Sequence, residues 1–243
     1  QGQTLAGHAI RHAVERSGVA PEEVDDVLMG CALQQGSTGQ NVARQALVAA
    51  GLPITVSGMS IDRQCASGMM AIATAAKQVL VDNMPIVVGG GVDSISLVQN
   101  EHMNLHRAQD PAVLANAPEI YMPMLQTAEV VAKRYGITRE QQDEYGLQSQ
   151  QRTAAAQAAG KLDDEIVPLT TSMGVMDKET KEISFHDVTL EKDEGNRPET
   201  TLDGLSGLRT VVDGGVITAG NASQLSDGAS AAVIMESKLA DQR

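Results

Sequence analysis

The sequence predicts an α/β fold interrupted by one long insertion. Three observations carry that expectation. Apolar stripes at helical spacing alternate with short apolar runs through residues 1–95. Periodicity then weakens from 96 to 213, where Pro, Asn and Asp are frequent. A compact pattern rich in small and apolar residues resumes at 214–243. Residues 1–95 and 214–243 are therefore read as the α/β core. Residues 96–213 are read as an insertion of the kind that forms a lid or an assembly loop.

The elements follow in order. Thr4 is placed to cap a helix reaching about Ser17, with Leu5, Ala6, Ala9, Ile10, Ala13 and Val14 as its apolar stripe. Gly18 ends it and Pro21 opens a turn. Val27–Leu33 reads as a strand, with Cys31 among apolar neighbours and thus a core residue. A helix spans about Asn41–Ala50 and stops at Gly51 and Pro53. Ser57–Asp62 is a strand, and Ala66–Leu80, rich in Ala, Met, Ile and Val, is a largely buried helix. Pro85–Gly89 is a strand, and Gly89-Gly90-Gly91 reads as a sharp turn beyond it. That triplet lacks the last glycine of G-x-G-x-x-G, so it does not announce a dinucleotide site.

Within the insertion, Thr127–Tyr135 is a helix ended by Gly136. Thr138, with Gln141 three residues on, forms a capping box for a second helix that reaches about Ala159. Residues 161–215 read as irregular and charged, and Ala231–Met235 reads as a buried strand.

Composition excludes several classes of function. Net charge is −13, which disfavours nucleic acid as a partner because phosphate wants a basic surface. Aromatics are 2%, so the core must be built from aliphatic residues and Met. Two cysteines, Cys31 and Cys65, make no disulfide framework, and a reducing cytoplasm is the simplest compartment. No apolar run approaches a membrane span. His8 and His12 are four apart, a spacing able to hold a metal, yet no third ligand accompanies them; a solvated helix face is the plainer reading.

The chemistry-bearing residue is Cys65. It falls at or just before the start of a helix, where the first backbone N–H groups lack internal partners and carry partial positive charge. A thiol in such a place ionises more easily, and the thiolate is the nucleophile. Ala66, Ser67 and Gly68 are small, which lets a substrate carbonyl approach the backbone. A single cysteine ahead of an apolar helix is also commonly an inert core residue. Position alone leaves both readings open.

Ile61-Asp62-Arg63-Gln64-Cys65-Ala66-Ser67-Gly68 resembles the acyl-enzyme motif of the thiolase family, the acetyl-CoA C-acyltransferases. Further stretches resemble the family in the same order: Val87–Ser94, Met124–Tyr135 with Thr127-Ala128-Glu129, and Asp163–Pro168. So do Asp193-Glu194 with Arg197 and Thr201, and Thr218–Ser223 followed by Asp227-Gly228-Ala229. The chain departs from the family pattern at Asp62 (more often Asn, Ser or Thr), Asp93 (commonly Glu), Pro123 (His in many acetoacetyl-specific members) and Val212 (often near an aromatic).

The resemblance implies a layered αβα half with a mixed five-stranded sheet, the insertion lying over the active site. It implies an acyl-cysteine on Cys65 and a Claisen condensation or thiolytic cleavage of 3-oxoacyl-CoA. Coenzyme A would pass as substrate, with no permanently bound cofactor and no metal. The resemblance places Met124, Arg197, Val212, Ala219 and Ser223 along the coenzyme tunnel. Arg197 would meet the adenine or phosphate end and Ser223 the pantetheine amide. Read as residues alone, Arg197 is a solvated loop charge and the others are core or turn residues. The net charge and the lack of a long apolar run already argue against a nucleic-acid or membrane partner. The resemblance further implies a homo-oligomer, tetramer or dimer. It also implies a first strand before Gln1 and a second half after Arg243 that would supply the activating histidine and a second cysteine. Two alternatives stand beside it: a non-catalytic coenzyme A-binding or scaffold protein of the same fold, and a related 3-oxoacyl synthase.

Overall fold

The computed structural model describes all of Gln1–Arg243. It forms two compact units, Gln1–Leu105 with Leu225–Arg243, and His106–Gln224. In chain order Gln1–Leu105 carries α1 (Gly2–Ser17), β1 (Asp26–Gly30), α2 (Val42–Ala49), β2 (Ser57–Ile61), α3 (Ser67–Val81), β3 (Ile86–Asp93) and α4 (Ile95–Val98). His106–Gln224 carries α5 (Pro111–Asn116), α6 (Met124–Tyr135), α7 (Arg139–Ala158), β4 (Leu169–Met176), β5 (Ile183–Leu190) and α8 (Leu202–Ser206). The chain closes with β6 (Gly228–Met235) and α9 (Ser237–Ala240).

The first unit is a mixed sheet in the order β2-β1-β3-β6. β1 runs parallel to both β2 and β3, and β6 runs antiparallel to β3. Four strands make it, one fewer than the resemblance implies. β1 is buried throughout, and its side chains divide between two faces with the period of two that a pleated strand imposes. Val27 and Met29 join Ile10, Val14, Leu47 and Val88 under α1 and α2. Leu28 joins Ala71, Ala75 and Val87 under α3. The sheet thus carries helices on both faces.

Several local expectations change. α1 begins at Gly2 with Gln1 at its N-cap, so Thr4 lies inside the helix. The Gly2 N–H is taken by Ser37 Oγ at 3.0 Å, and Leu5 N–H returns to the Gln1 carbonyl at 3.0 Å. Cys31 is buried but lies just past the end of β1. α3 is not largely buried: only Ser67, Ala71 and Ala75 are, while Met69 is 77% and Leu80 78% exposed. One side of the helix meets the sheet and its other side meets nothing in this unit. Gly89, Gly90 and Gly91 are not a turn but the middle of β3. A Cβ at Gly90 would overlap the Ser230 carbonyl of β6, so the glycines allow close approach within the sheet. β6 spans Gly228–Met235 and is half-buried, with Ala231, Val233 and Met235 against the larger core.

In the second unit the Thr138 capping box forms as the sequence predicts. Gln141 N–H donates to Thr138 Oγ1 at 3.3 Å, and Thr138 N–H donates to Gln141 Oε1 at 2.9 Å. Residues 161–215 are not irregular throughout, because β4 and β5 pair as an antiparallel hairpin. The unit boundaries also differ from the expected 95/96 and 213/214. Residues 214–224 fold with α6 and α7, because Glu129 takes the Val216 and Ile217 amides and Asn221 bonds Asp143. Residues 96–105 stay with the sheet, where Ser96 donates its N–H to the Asp227 carboxylate at 2.9 Å and its hydroxyl at 2.5 Å.

Candidate active site

β2 ends at Ile61 and α3 starts at Ser67, so the chain reverses within five residues. Asp62 Oδ1 accepts the Gln64 N–H at 2.8 Å, a side-chain-closed turn. Gln64 takes φ +49°, a left-handed conformation that costs a non-glycine residue about 1–2 kcal/mol. Ser67 holds it there. Its buried hydroxyl accepts the Arg63 N–H at 2.8 Å and donates to the Gln64 carbonyl at 2.5 Å. Cys65 sits on the crest of this turn, exposed, one residue before the α3 N-cap at Ala66.

The start of α3 is seated against the sheet by glycines. A Cβ on Gly30 would overlap the Ser67 carbonyl carbon and the Gly68 nitrogen. A Cβ on Gly91 would stand 3.3 Å from the Gly68 Cα. Small residues on both sides bring the helix start onto the C-terminal ends of the parallel strands β1 and β3. An open cleft of about 750 Å³ lies here, lined by Cys65, Gly68, Met69, Asp93, Ser226 and Ser230 among others. It combines a thiol, a helix start and little side-chain bulk, which suits covalent capture of an acyl carbonyl.

Asp93 also lines the cleft. Its carboxylate accepts the Ala32 and Leu33 amides at 3.2 and 3.1 Å and the Cys31 thiol at 3.3 Å. Burial, then the Asp93 charge, push the Cys31 thiol up to about 11. The two cysteines therefore differ in kind: Cys31 is a protonated, buried hydrogen-bond donor, and Cys65 is open to solvent. None of the five histidines lines the Cys65 cleft. His8 and His12 lie on α1 with ring centroids 4.6 Å apart and Arg11 Nη2 3.4 Å from each. Burial, with the neighbouring His8, lowers the His12 pKa.

The remaining expected residues lie on the second unit. Met124 is the exposed first residue of α6. Arg197 follows Asn196 in a loop whose backbone is tied to Gln150 of α7. Val212, Ala219 and Ser223 lie along the segment that leads through the Thr218 turn, and all three are exposed. Val212 also lines a cleft of about 610 Å³ with Glu129, Lys133 and Val216.

Several shaping residues had no signature in the sequence. Glu129 accepts Val216 N–H at 3.0 Å and Ile217 N–H at 2.9 Å across some 87 positions. Asp143, 1% exposed, pairs with Arg139 at 2.6 Å and with Asn221 Nδ2 at 3.0 Å. Asp93 stood out only as a departure from a motif. Links of this length leave no periodic trace in a single sequence.

Comparison with known proteins agrees with this geometry. The family model for the thiolase N-terminal domain matches residues 1–238. The chain belongs to the thiolase family. It is 40% identical over 240 residues to the 3-ketoacyl-CoA thiolase of Bacillus subtilis, covering 98% of this chain and 60% of that protein. It is likewise 40% identical over 249 residues to an acetyl-CoA acetyltransferase of Cupriavidus necator, covering 98% and 61%. The crystal structure of the Bacillus anthracis acetyl-CoA acetyltransferase aligns with a TM-score of 0.80 at 36% identity, over 99% of this chain and 61% of that one. The chain thus spans about 60% of the length of these two curated relatives. No helix is long and apolar enough to cross a membrane.

Proposed function

We propose that this chain forms the nucleophile-bearing part of a coenzyme A-dependent C-acyltransferase, with Cys65 as the acyl carrier. The observation that carries the reading is the Cys65 turn: an exposed thiol held on a hydrogen-bonded, left-handed turn at the start of a helix, above an open cleft. In the first step the Cys65 thiolate attacks the carbonyl carbon of an acyl-CoA. The thioester bond to coenzyme A breaks, and coenzyme A leaves as a thiol once protonated. In this reading the Cys65 backbone N–H helps to stabilise the thioester oxyanion. In the second step a base outside the Cys65 cleft takes an α-proton from acetyl-CoA, the resulting carbanion attacks the acyl carbon, and the bond from that carbon to Cys65 Sγ breaks, giving a 3-oxoacyl-CoA and returning the Cys65 thiolate. Thiolysis is the reverse.

The reading takes the proton of Cys65 to a group outside the Cys65 cleft. It keeps Met124, Arg197, Val212, Ala219 and Ser223 as coenzyme contacts, Arg197 at the phosphate end. It takes coenzyme A as a substrate with no resident cofactor, a homo-oligomer as the working form, and the cytoplasm as the compartment that keeps both thiols reduced. The test is acetyl transfer. The intact protein is mixed with acetyl-CoA, quenched in acid and mapped by peptide mass. An acetyl group on Cys65 and none on Cys31 is expected. A folded protein with no adduct on Cys65 rules out the covalent mechanism and favours a coenzyme-binding scaffold.

A further inference from the structure

α7 is a long helix with little apolar surface, of the sort ordinarily read as solvated all round. The structure gives one stripe of it a different use. Arg139, Asp143, Gly146, Gln150 and Gln157 recur at helical spacing and so share one face. Each meets a neighbouring segment, through its backbone or through the Asn196 and Asn221 side chains.

We infer that this stripe is a positioning rack for the two loops carrying the proposed coenzyme contacts, and that Gln150 sets the loop for the nucleotide end. The inference rests on the coenzyme reading above and adds to it which residues act through others.

Gln157 Nε2 donates to the Asp193 carbonyl at 3.1 Å. The Gln150 carbonyl and Oε1 each accept from Asn196 Nδ2 at 2.9 Å, and Gln150 Oε1 also accepts the Arg197 N–H at 2.8 Å. The Arg197 backbone is therefore held by its own N–H and by its neighbour's side chain. Gln224 Nε2 braces the same loop from the other side through the Gly195 carbonyl at 2.5 Å.

The second loop is held further toward the helix start, where Arg139 Nη2 first fixes the end of α8 by donating to the Leu205 and Leu208 carbonyls at 2.6 and 3.1 Å. Asp143 Oδ1 accepts Asn221 Nδ2, in the turn flanked by Ala219 and Ser223. A Cβ on Gly146 would stand 3.1 Å from the Gly220 carbonyl, so this stretch of α7 lies against the turn. Asp143 is nearly fully buried, and its charge is matched by Arg139 on the same face. The stripe is thus divided. Gln150 and Gln157 govern the Arg197 loop, Asp143 and Gly146 meet the Ala219–Ser223 turn, and Arg139 holds the end of α8 while pairing with Asp143.

That division makes a ligand-selective prediction that simple loosening of the unit does not. Coenzyme A carries a phosphorylated nucleotide, whereas pantetheine has only the amide arm and thiol. Gln150→Met keeps the length of the side chain and removes the acceptor. Isothermal titration of the intact protein with coenzyme A and with pantetheine reads the split. In Gln150→Met the Kd for coenzyme A is expected to rise about tenfold, and that for pantetheine to change by less than about twofold. Gln157→Met, at the far end of the same loop, is expected to move the ratio the same way by about threefold, and serves if the first variant fails to fold. Unchanged coenzyme A affinity in both variants, or equal weakening of the two ligands, overturns the inference and leaves the coenzyme reading standing. Wild-type protein that binds neither ligand overturns the coenzyme reading itself, and the inference with it.

Discussion

Ser67 and Gln64 hold each other across the Cys65 turn: the Gln64 carbonyl accepts the Ser67 hydroxyl at 2.5 Å and the Ser67 N–H at 3.0 Å. The hydroxyl simultaneously takes the Arg63 N–H at 2.8 Å. One small side chain thus closes a turn in which a non-glycine residue adopts positive φ. The strain at Gln64 is local and so is its remedy, which makes the turn sensitive to single substitutions.

Ser67→Ala removes both hydroxyl bonds from a buried position, at an expected cost of about 1–3 kcal/mol. If the turn presents Cys65 to a thioester, acetylation of Cys65 by acetyl-CoA should slow by about tenfold or more as the geometry relaxes. Urea melts give the first quantity and timed mass spectra the second. A variant that loses stability but acetylates at the wild-type rate would show that the latch serves folding alone.

The thiols themselves supply a pH-dependent prediction. Cys31 is buried, and its folded pKa is pushed up from the ordinary thiol value of 9.0 to about 11. Between those values the unfolded chain has lost the proton that the folded chain still holds. Stability therefore falls as pH rises from about 9 to about 11, by roughly 2–3 kcal/mol in total, and is fully present below that window. Denaturant melts at pH 8.5, 10 and 11 should show the fall, and Cys31→Ala should flatten it. At pH 8 iodoacetamide should modify exposed Cys65 and spare Cys31 until the protein is unfolded. Equal labelling of the two in the folded state would contradict the buried hydrogen bond to Asp93.

Gly30 offers a steric test of how α3 is seated. An added Cβ would overlap the backbone at Ser67 and Gly68, and backbone cannot swing aside as a side chain can. Gly30→Ala is expected to cost about 2–3 kcal/mol through overpacking and to shift the first turn of α3. The check is a melting curve together with the rate of Cys65 alkylation. Retention of both would mean that β1 and α3 are not in contact at this point.

The readable part of this molecule was local. The Thr138–Gln141 capping box, the helix over 42–49 and the place of Cys65 before α3 follow from residues within a turn or two of each other. Sequence misled where a residue type has two uses. Gly89-Gly90-Gly91 looks like a turn, yet it permits close strand approach inside β3. The apolar composition of α3 looks like burial on all sides, yet only Ser67, Ala71 and Ala75 are covered. The β4–β5 hairpin was hidden because its strands lack a consistent apolar face, with Met173 and Val175 on one side and Met176, Ile183 and Phe185 on the other. The clamps that shape the candidate coenzyme loops were invisible because they join residues far apart in the chain, mostly through backbone amides and carbonyls that no residue type advertises.

The Glu129 clamp can be tested one loop at a time. Both carboxylate oxygens accept the Val216 N–H at 3.0 Å, and Oε1 accepts Ile217 N–H at 2.9 Å. A Cβ on Gly215 would overlap the same carboxylate, so the loop lies directly on it. Glu129→Gln replaces one acceptor oxygen by an NH2 group and removes the charge, which is worth about 1.5–3 kcal/mol for a hydrogen bond to an ionised partner. Because the lost bonds end on one short segment, the damage should appear there first. Hydrogen–deuterium exchange read by mass spectrometry should show the peptide over residues 212–218 exchanging about tenfold faster, with the centre of α7 still protected. Uniform acceleration across the second unit would mean that Glu129 supports the unit as a whole. No acceleration would mean that the segment is held by the Asn221 bonds to Asp143 and to the Val216 carbonyl instead.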